Sequence, residues 1–412
     1  MKNNAKRLLA AILAMVMILV CMSGCGSTAD NTPATNAPEV DDTAEVAPGK
    51  SGTIMWMSHL TNGHQYDRTV TYLEAICEEL GYELTVVYGD AANDAAGNLQ
   101  AVKNGMTNDV VGLIASMDGG LLNIMEEYPE LYVVGFATDM GSVYTEGGAN
   151  AACLEKDHYL GTICDGFADG ADLAQLYYEV ILEKGYKKIA IVDFPAFAYP
   201  NLAVAADTLI SLVGEYNNSA AEEEKITIVG EKTTLMFSPL EDSWFLEEGH
   251  SDLDCIVGVC AGTTFIYPVM VTAIGNGICT AETQLITGGF DIDDDLISNI
   301  GDDGIISMVQ FSPNENPAFA MVLLDNAING VQYADWNNGR VDSLKYVIDS
   351  TEDINNVMTK SFCGTGDLTQ AQLSVADVLN LCVRNNPDAT YADLIAALHD
   401  EATMSVDALK NR

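Results

Sequence analysis

The sequence predicts an α/β protein built as two lobes, each a parallel sheet covered on both faces, followed by a helical C-terminal segment. Nearly continuous apolar runs alternate with helical patterns of ten or more residues, the signature of strands buried on both sides. This alternation occurs twice in succession along a chain of 412 residues that is 48% hydrophobic, long enough for more than one core. Within the second array, Leu285–Asn316 holds two apolar runs that each release a polar side chain just past the strand end, Asp291 after Gly288-Gly289 and Gln310 after Val309. In open α/β sheets, strand ends and helix N-termini face one crevice, where ligands bind.

The first array begins with an apolar run at Thr53–Met57, a polar loop Ser58–His64, and a helix over about 65–80. Val70, Leu73, Ile76, Cys77 and Leu80 share one face of that helix and Gly81 stops it. Strands over 83–88, 111–115 and 131–136 then alternate with helices over 93–108 and 119–128. After 149–154 the second array opens with a long helix over about 159–184, ended by Gly185. Strands over 188–193, 226–230, 255–259 and 284–288 follow, with helices over 201–216, 240–247 and 265–276 between them. A last run at 305–309, a helix over 316–328 ended by Asn329-Gly330, and a strand over 343–349 complete it. Residues 351–412 read as helical, with 368–382 and 391–399 clearest and Asn386-Pro387 between them.

The N-terminus is a different kind of segment. Lys2, Lys6 and Arg7 precede the uninterrupted apolar stretch Leu8–Val20, too short for the usual membrane helix and of secretory-signal length. It closes on Met22-Ser23-Gly24-Cys25, which resembles the lipobox of bacterial lipoproteins. That resemblance implies cleavage before Cys25, acylation of Cys25, and attachment to the extracytoplasmic face of the cell membrane. Residues 25–50, rich in Thr, Ala, Asn, Pro and Asp, build no core and read as a flexible tether.

Cleavage after residue 24 removes three positive charges and no negative ones from 18 Lys+Arg and 60 Asp+Glu, leaving a net charge of about −45. Such a surface disfavours nucleic acid as a partner and repels anionic headgroups, so the lipid has to supply the membrane attachment. Only Arg68, Arg340, Arg384 and Arg412 remain to recognise an anion. The eight cysteines beyond Cys25 show no CxxC spacing and sit mostly in apolar runs, which favours buried free thiols; a single pair, Cys255/Cys260 or Cys363/Cys382, stays open.

Lys187–Val192 after a long helix, then Leu285–Asp291, then Gly304–Gln310 followed by a helix and Asn329-Gly330, are similar in order and spacing to the type I periplasmic binding proteins, the family of sugar-binding components of ABC importers and of the lac repressor core. The resemblance covers roughly 52–350. It implies two doubly wound lobes joined by three hinge crossings, near 153–158, 310–312 and 336–341. The lobes are then 51–155 plus 311–337 and 156–310 plus 338–350, preceded by a signal peptide at 1–24 and a tether at 25–50, and followed by an extension at 351–412. Asp291 matches the family aspartate that accepts from ligand hydroxyls, and Gln310 the polar residue at the second crossing. A carboxylate and a carboxamide together bind polyols or amides without a metal.

Two departures narrow the ligand. Cys260-Ala261-Gly262-Thr263 stands where family sugar binders often carry an Asn-Asp pair, and the loop Phe194–Tyr199 has no arginine. The remaining strand-end loops offer His59, Asn62, His64, Ser116, Asp118, Asp139, Phe194, Phe197, Tyr199 and Thr263 as contacts, a set of ring faces and polar groups suited to a small neutral or cationic ligand. Tyr128–Val134 resembles the basic membrane lipoproteins that bind nucleosides, which keeps a nucleoside open beside a sugar. His59 and His64 lack a third ligand at metal spacing, and Asp291–Asp295 lacks the glycine and terminal glutamate of an EF-hand, so neither a metal nor another cofactor is expected.

No GxSxG elbow, Walker A loop, HExxH or dinucleotide fingerprint occurs in the proper context, and an enzyme is not expected. The expectation is a monomeric, lipid-anchored solute-binding protein serving ABC permease subunits. The alternatives are a surface module presenting solute to a receptor and, behind it, an extracellular hydrolase.

Overall fold

The computed structural model describes residues 51–90, 92–164, 170–197, 199–289, 294–301 and 304–412. The leader, Cys25, the tether and Asp291 lie outside the described residues. The first sheet takes β1 (Gly52–Ser58), β2 (Tyr82–Tyr88), β3 (Val110–Ala115) and β4 (Tyr132–Phe136) from the first array, and β5 (Tyr159–Cys164) from the start of the second. The second takes β6 (Lys188–Asp193), β7 (Thr227–Ile228), β8 (Thr233–Thr234), β9 (Cys255–Gly258), β10 (Gln284–Gly288) and β11 (Ile306–Phe311). Late in the chain, β12 (Arg340–Asp342) joins the first sheet and β13 (Tyr346–Ile348) the second. The sheet orders are β2-β1-β3-β4-β5-β12 and β7-β6-β9-β10-β11-β13, with β8 also pairing β6, and every pairing is parallel except β11–β13. Both lobes therefore wind in the same way, doubly wound as the apolar runs require.

Alternation along each strand fills a core on either side. Ile54 and Trp56 face the helices His64–Leu80 and Pro317–Ile328, while Met55 and Met57 face Ala95–Gly105 and Leu121–Glu127. In the second sheet Ala190 and Val192 point one way, and Ile189 and Ile191 point toward the long helices Gly170–Lys184 and Pro200–Ser219. The helix Pro317–Ile328 is buried at every position. Its Asp325 is sustained by Arg384, whose Nη2 lies 2.9 Å from Oδ1.

Two elements differ from the sequence reading, and both move a crossing. The expected helix from Tyr159 begins only at Gly170; Tyr159–Cys164 is β5 of the first sheet. Its apolar residues suit either period, and the decision falls to Gly161, whose φ of +105° and lack of room for a Cβ, 2.7 Å from the Gly339 carbonyl, fit a distorted strand beside β12. The first crossing thus follows Cys164 instead of lying at 153–158. The expected strand over 343–349 is two strands in two sheets, so the third crossing is Ser343–Lys345 instead of 336–341, and 340–342 belongs with the first lobe. The second crossing runs from Phe311 into the helix at Pro317.

The extension lies over both lobes. Phe362, Leu373, Val378, Leu394 and Leu398 enter the core of the first, and Ile354, Val357, Val406 and Leu409 enter that of the second. The eight described cysteines are thiols and not disulfides, so neither candidate pair forms. Burial pushes the Cys77 and Cys153 thiols up to about 12, which keeps them inert. Among the described residues no helix is long and apolar enough to cross a membrane.

Candidate functional site

A cleft of about 310 Å³ opens between the C-terminal ends of the two sheets. The first lobe contributes His59 after β1, Met117 after β3, and Ala137, Thr138 and Asp139 after β4. The second contributes Phe194 and Tyr199 after β6, Phe237 after β8, Cys260 and Phe265 after β9, and Gly288 and Gly289 after β10. Gln310 arrives from the end of β11, and Ser312 and Lys345 from the second and third crossings. At the rim the lobes touch: a Cβ on Gly141 of the first would sit 2.8 Å from the ring of Pro200 of the second.

Tyr177 and Gly288 position the Gln310 carboxamide. Tyr177 donates its hydroxyl proton to the Val259 carbonyl at 2.9 Å, so its oxygen is left to accept from Gln310 Nε2 at 3.5 Å. That orients the carboxamide and turns Oε1, buried and without a protein partner, into an acceptor awaiting a donor. Gly288 makes room for it, since a Cβ there would lie 2.5 Å from Nε2. Thr138 Oγ1 and Ser312 Oγ, also in the lining, are buried atoms without partners as well.

Asp139 Oδ1 accepts from the Gly141 amide at 3.0 Å, and Arg340 Nη1 donates to the Asp139 carbonyl at 3.1 Å. Burial raises the Asp139 carboxyl above its ordinary range, against the pull of that amide, and nearby Asp118 adds to the rise. His59 is pushed down to about 4 by burial and is neutral at physiological pH. Lys345 is the one lysine or arginine among the described lining residues. All four arginines outside the leader bind the scaffold, through Cys363, Asp139, Asp325 and Gln370.

Of the candidate contacts, the structure brings His59, Asp139, Phe194, Tyr199 and Gln310 into the lining. Thr263 stands just behind it against Gly289, its Oγ1 buried and unpartnered. Ser116 is fully buried and accepts from Trp56 Nε1 at 3.0 Å, and Asp118 is consumed by Asn93 Nδ2 and by the amide and hydroxyl of Ser142. Both hold loops and are not part of the lining. Asn62 is exposed, His64 opens the helix that follows, and Phe197 is 75% exposed; none of the three lines the cleft. Sequence reasoning did not find Tyr177, Phe237, Phe265 or Lys345. Tyr177 lies mid-helix, Phe237 in the loop after β8 and Phe265 in a four-residue helix, none with a clear period, so only the sheet order brings them here. Among the described residues no cluster of His, Cys, Asp or Glu could hold a metal.

No family model matches the chain, and no curated protein matches it in sequence. Its fold is similar to solved structures that include an ABC transporter periplasmic solute-binding protein from Actinobacillus succinogenes 130z with bound D-allose, at 13% identity and a TM-score of 0.55 over 74% of this chain and 99% of that one. A carbohydrate transporter from Acidothermus cellulolyticus 11B in complex with myo-inositol aligns at 13% identity and 0.53 over 77% and 99%. The periplasmic binding protein component of the arabinose ABC transporter from Shewanella sp. ANA-3 aligns at 13% and 0.53 over 74% and 93%. At these identities the likeness establishes the fold, that of the type I periplasmic binding proteins.

Proposed function

We propose that this protein is an extracytoplasmic solute-binding lipoprotein of an ABC importer, which captures a small polar ligand, sugar-like or nucleoside-like, between its two lobes. The observation that carries the reading is the convergence of strand-end loops from both sheets, and of two of the crossings, on one cleft of about 310 Å³. A ligand bridging both walls favours the arrangement in which they are close, by its differential affinity for that arrangement. Gln310 sits where recognition and closure meet, and Asp291, Asp139, His59, Phe194, Tyr199 and Thr263 complete the proposed contacts. Support comes from the sugars bound in the structures of similar fold, and from the buried acceptors and hydroxyls that lack a protein partner.

The lipobox-like Met22–Cys25 supports an anchor at Cys25, with 1–24 removed and 25–50 as the tether. In this reading the monomer stays on the cell surface, delivers solute to permease subunits, binds no nucleic acid and catalyses nothing. A thermal-shift screen of sugars, nucleosides and amino compounds tests it. One compound should raise the midpoint saturably, since ligand at 100 times Kd adds about 2.7 kcal/mol of apparent stability. A flat response across all three classes would argue against solute capture.

A further inference from the structure

The walls of the cleft are chemically unequal. Phe194, Tyr199, Phe237 and Phe265 form one continuous ring cluster, with Phe194 at 5.4 Å from Phe265, 6.1 Å from Tyr199 and 6.3 Å from Phe237 by ring centroids. They come from the loops after β6, β8 and β9, the half of the second sheet away from the crossings. Gln310 Oε1, Ser312 Oγ and Thr138 Oγ1, buried lining atoms without partners, come instead from β11, the second crossing and the loop after β4, while Thr263 Oγ1 lies behind the lining on the ring side. A polyol, with hydroxyls around its whole rim, would leave some of them facing ring carbons without a partner.

Phe237 has a φ of +57°, a left-handed conformation that a bulky residue adopts only when its surroundings hold it there. Its ring packs against Phe194, Phe197 and Tyr199 at 6.3 Å each, so the strained backbone is what presents the side chain to the cleft.

We infer that the ligand is a sugar carrying an aromatic ring, its hydroxyls turned toward Gln310, Ser312 and Thr138 and its ring seated against the Phe194–Tyr199–Phe237–Phe265 wall. The inference rests on the solute-binding reading of the same cleft. The wall that would hold the ring, Phe194, Tyr199, Phe237 and Phe265, offers no charged side chain to pair with one on the ring, and the charged lining residues Asp139 and Lys345 come from the loop after β4 and from the third crossing. Nucleosides and aryl glycosides share this chemistry. Ring-on-ring contact and the apolar area buried both favour the substituted sugar over the bare one.

The test is calorimetric titration of the folded chain with two matched pairs, uridine against ribose and phenyl β-glucoside against methyl β-glucoside. In at least one pair the ring-bearing member should bind tenfold tighter or more, and the pair that responds separates a nucleoside from an aryl glycoside. Phe237→Asn removes the ring and suits the left-handed backbone, so relief of strain offsets part of the lost ring packing and the chain should still unfold in one cooperative transition. Its affinity for the ring-bearing compound should fall tenfold while that for the bare sugar stays. If the bare sugars bind as tightly as their partners, the inference is wrong and solute capture stands. If Phe237→Asn weakens both members of a pair alike, the ring is structural and the inference is equally wrong. If none of the four compounds binds, the inference is wrong, and solute capture is decided by the wider thermal-shift screen.

Discussion

Asn316 donates through Nδ2 to the hydroxyl of Ser343 at 2.9 Å, and Ser343 passes its own proton to the Cys164 carbonyl at 2.9 Å. Cys164 ends the first lobe's fifth strand, Asn316 lies on the second crossing and Ser343 on the third, so one hydroxyl ties all three together. Asn316 Nδ2 also donates to the Leu344 carbonyl at 3.1 Å, and the Ser343 amide donates to the Cys164 carbonyl at 3.0 Å. Ser343→Ala leaves buried Asn316 with a single acceptor. We expect a loss of about 1 to 3 kcal/mol in chemical denaturation, typical of an orphaned buried donor. No change would mean that the crossings are held by backbone pairing alone.

Beside this knot, Glu315 is fully buried, accepts the Gln372 amide through Oε1 at 3.0 Å, and has no partner for Oε2. Burial raises its carboxyl to about 6, against the Gln372 amide and Arg412. A raised carboxyl stabilises the fold at low pH and loses that contribution as pH climbs from the unfolded value near 4.5 through 6. Glu315→Gln keeps the acceptor and removes the charge. It should be more stable than wild type above pH 7, by up to about 2 kcal/mol, with the gap closing by pH 4.5. A gap independent of pH would exclude titration of Glu315 as the cause.

His59 runs the other way. Its folded value of about 4 lies below the ordinary 6.5, so the unfolded chain binds the extra proton between those values and stability falls as pH drops through that window. Comparing wild type with His59→Gln, the variant should show a flatter stability profile from pH 6.5 to 4. Parallel profiles would show that burial does not lower the folded His59 below its unfolded value.

The extension is fastened to the first lobe by a buried ion pair. Arg384 Nε donates to Asp325 Oδ2 at 2.9 Å and Nη2 to the Leu80 carbonyl at 2.8 Å, with Tyr82 also on Asp325. Arg384→Met strands a fully buried carboxylate, and we expect a loss of about 3 to 5 kcal/mol. Arg384→Met combined with Asp325→Leu should recover much of it, because an apolar pair of similar volume carries no desolvation cost. Failure of the double variant to recover would place the effect in packing.

Much of this architecture could be read from the chain because parallel strands buried on both faces leave continuous apolar runs; Lys188–Asp193 and Gln284–Gly288 appear as read. Tyr159–Cys164 was misread because its deciding feature, the close approach of the Gly339 backbone to Gly161, is tertiary. The short helices of the extension did carry a local signal. Ser374 with Asp377, and Thr390 with Asp393, form capping boxes that mark their starts. In the site, strand-end loops found Asp139, Phe194 and Tyr199, but a loop position alone does not separate a contact from a brace such as Asp118. Tyr177, which orients Gln310, has no signature short of the folded sheet.

The most direct measurement of solute capture at the crossing is calorimetric titration of the compound that shifts the wild-type melting curve against Gln310→Ala, with Tyr177→Phe beside it. The account predicts that Gln310→Ala weakens binding by several-fold to tenfold, about 1 kcal/mol for a lost hydrogen bond, and that Tyr177→Phe weakens it less by freeing the carboxamide to turn. An affinity unchanged in Gln310→Ala would place the ligand elsewhere and contradict the account.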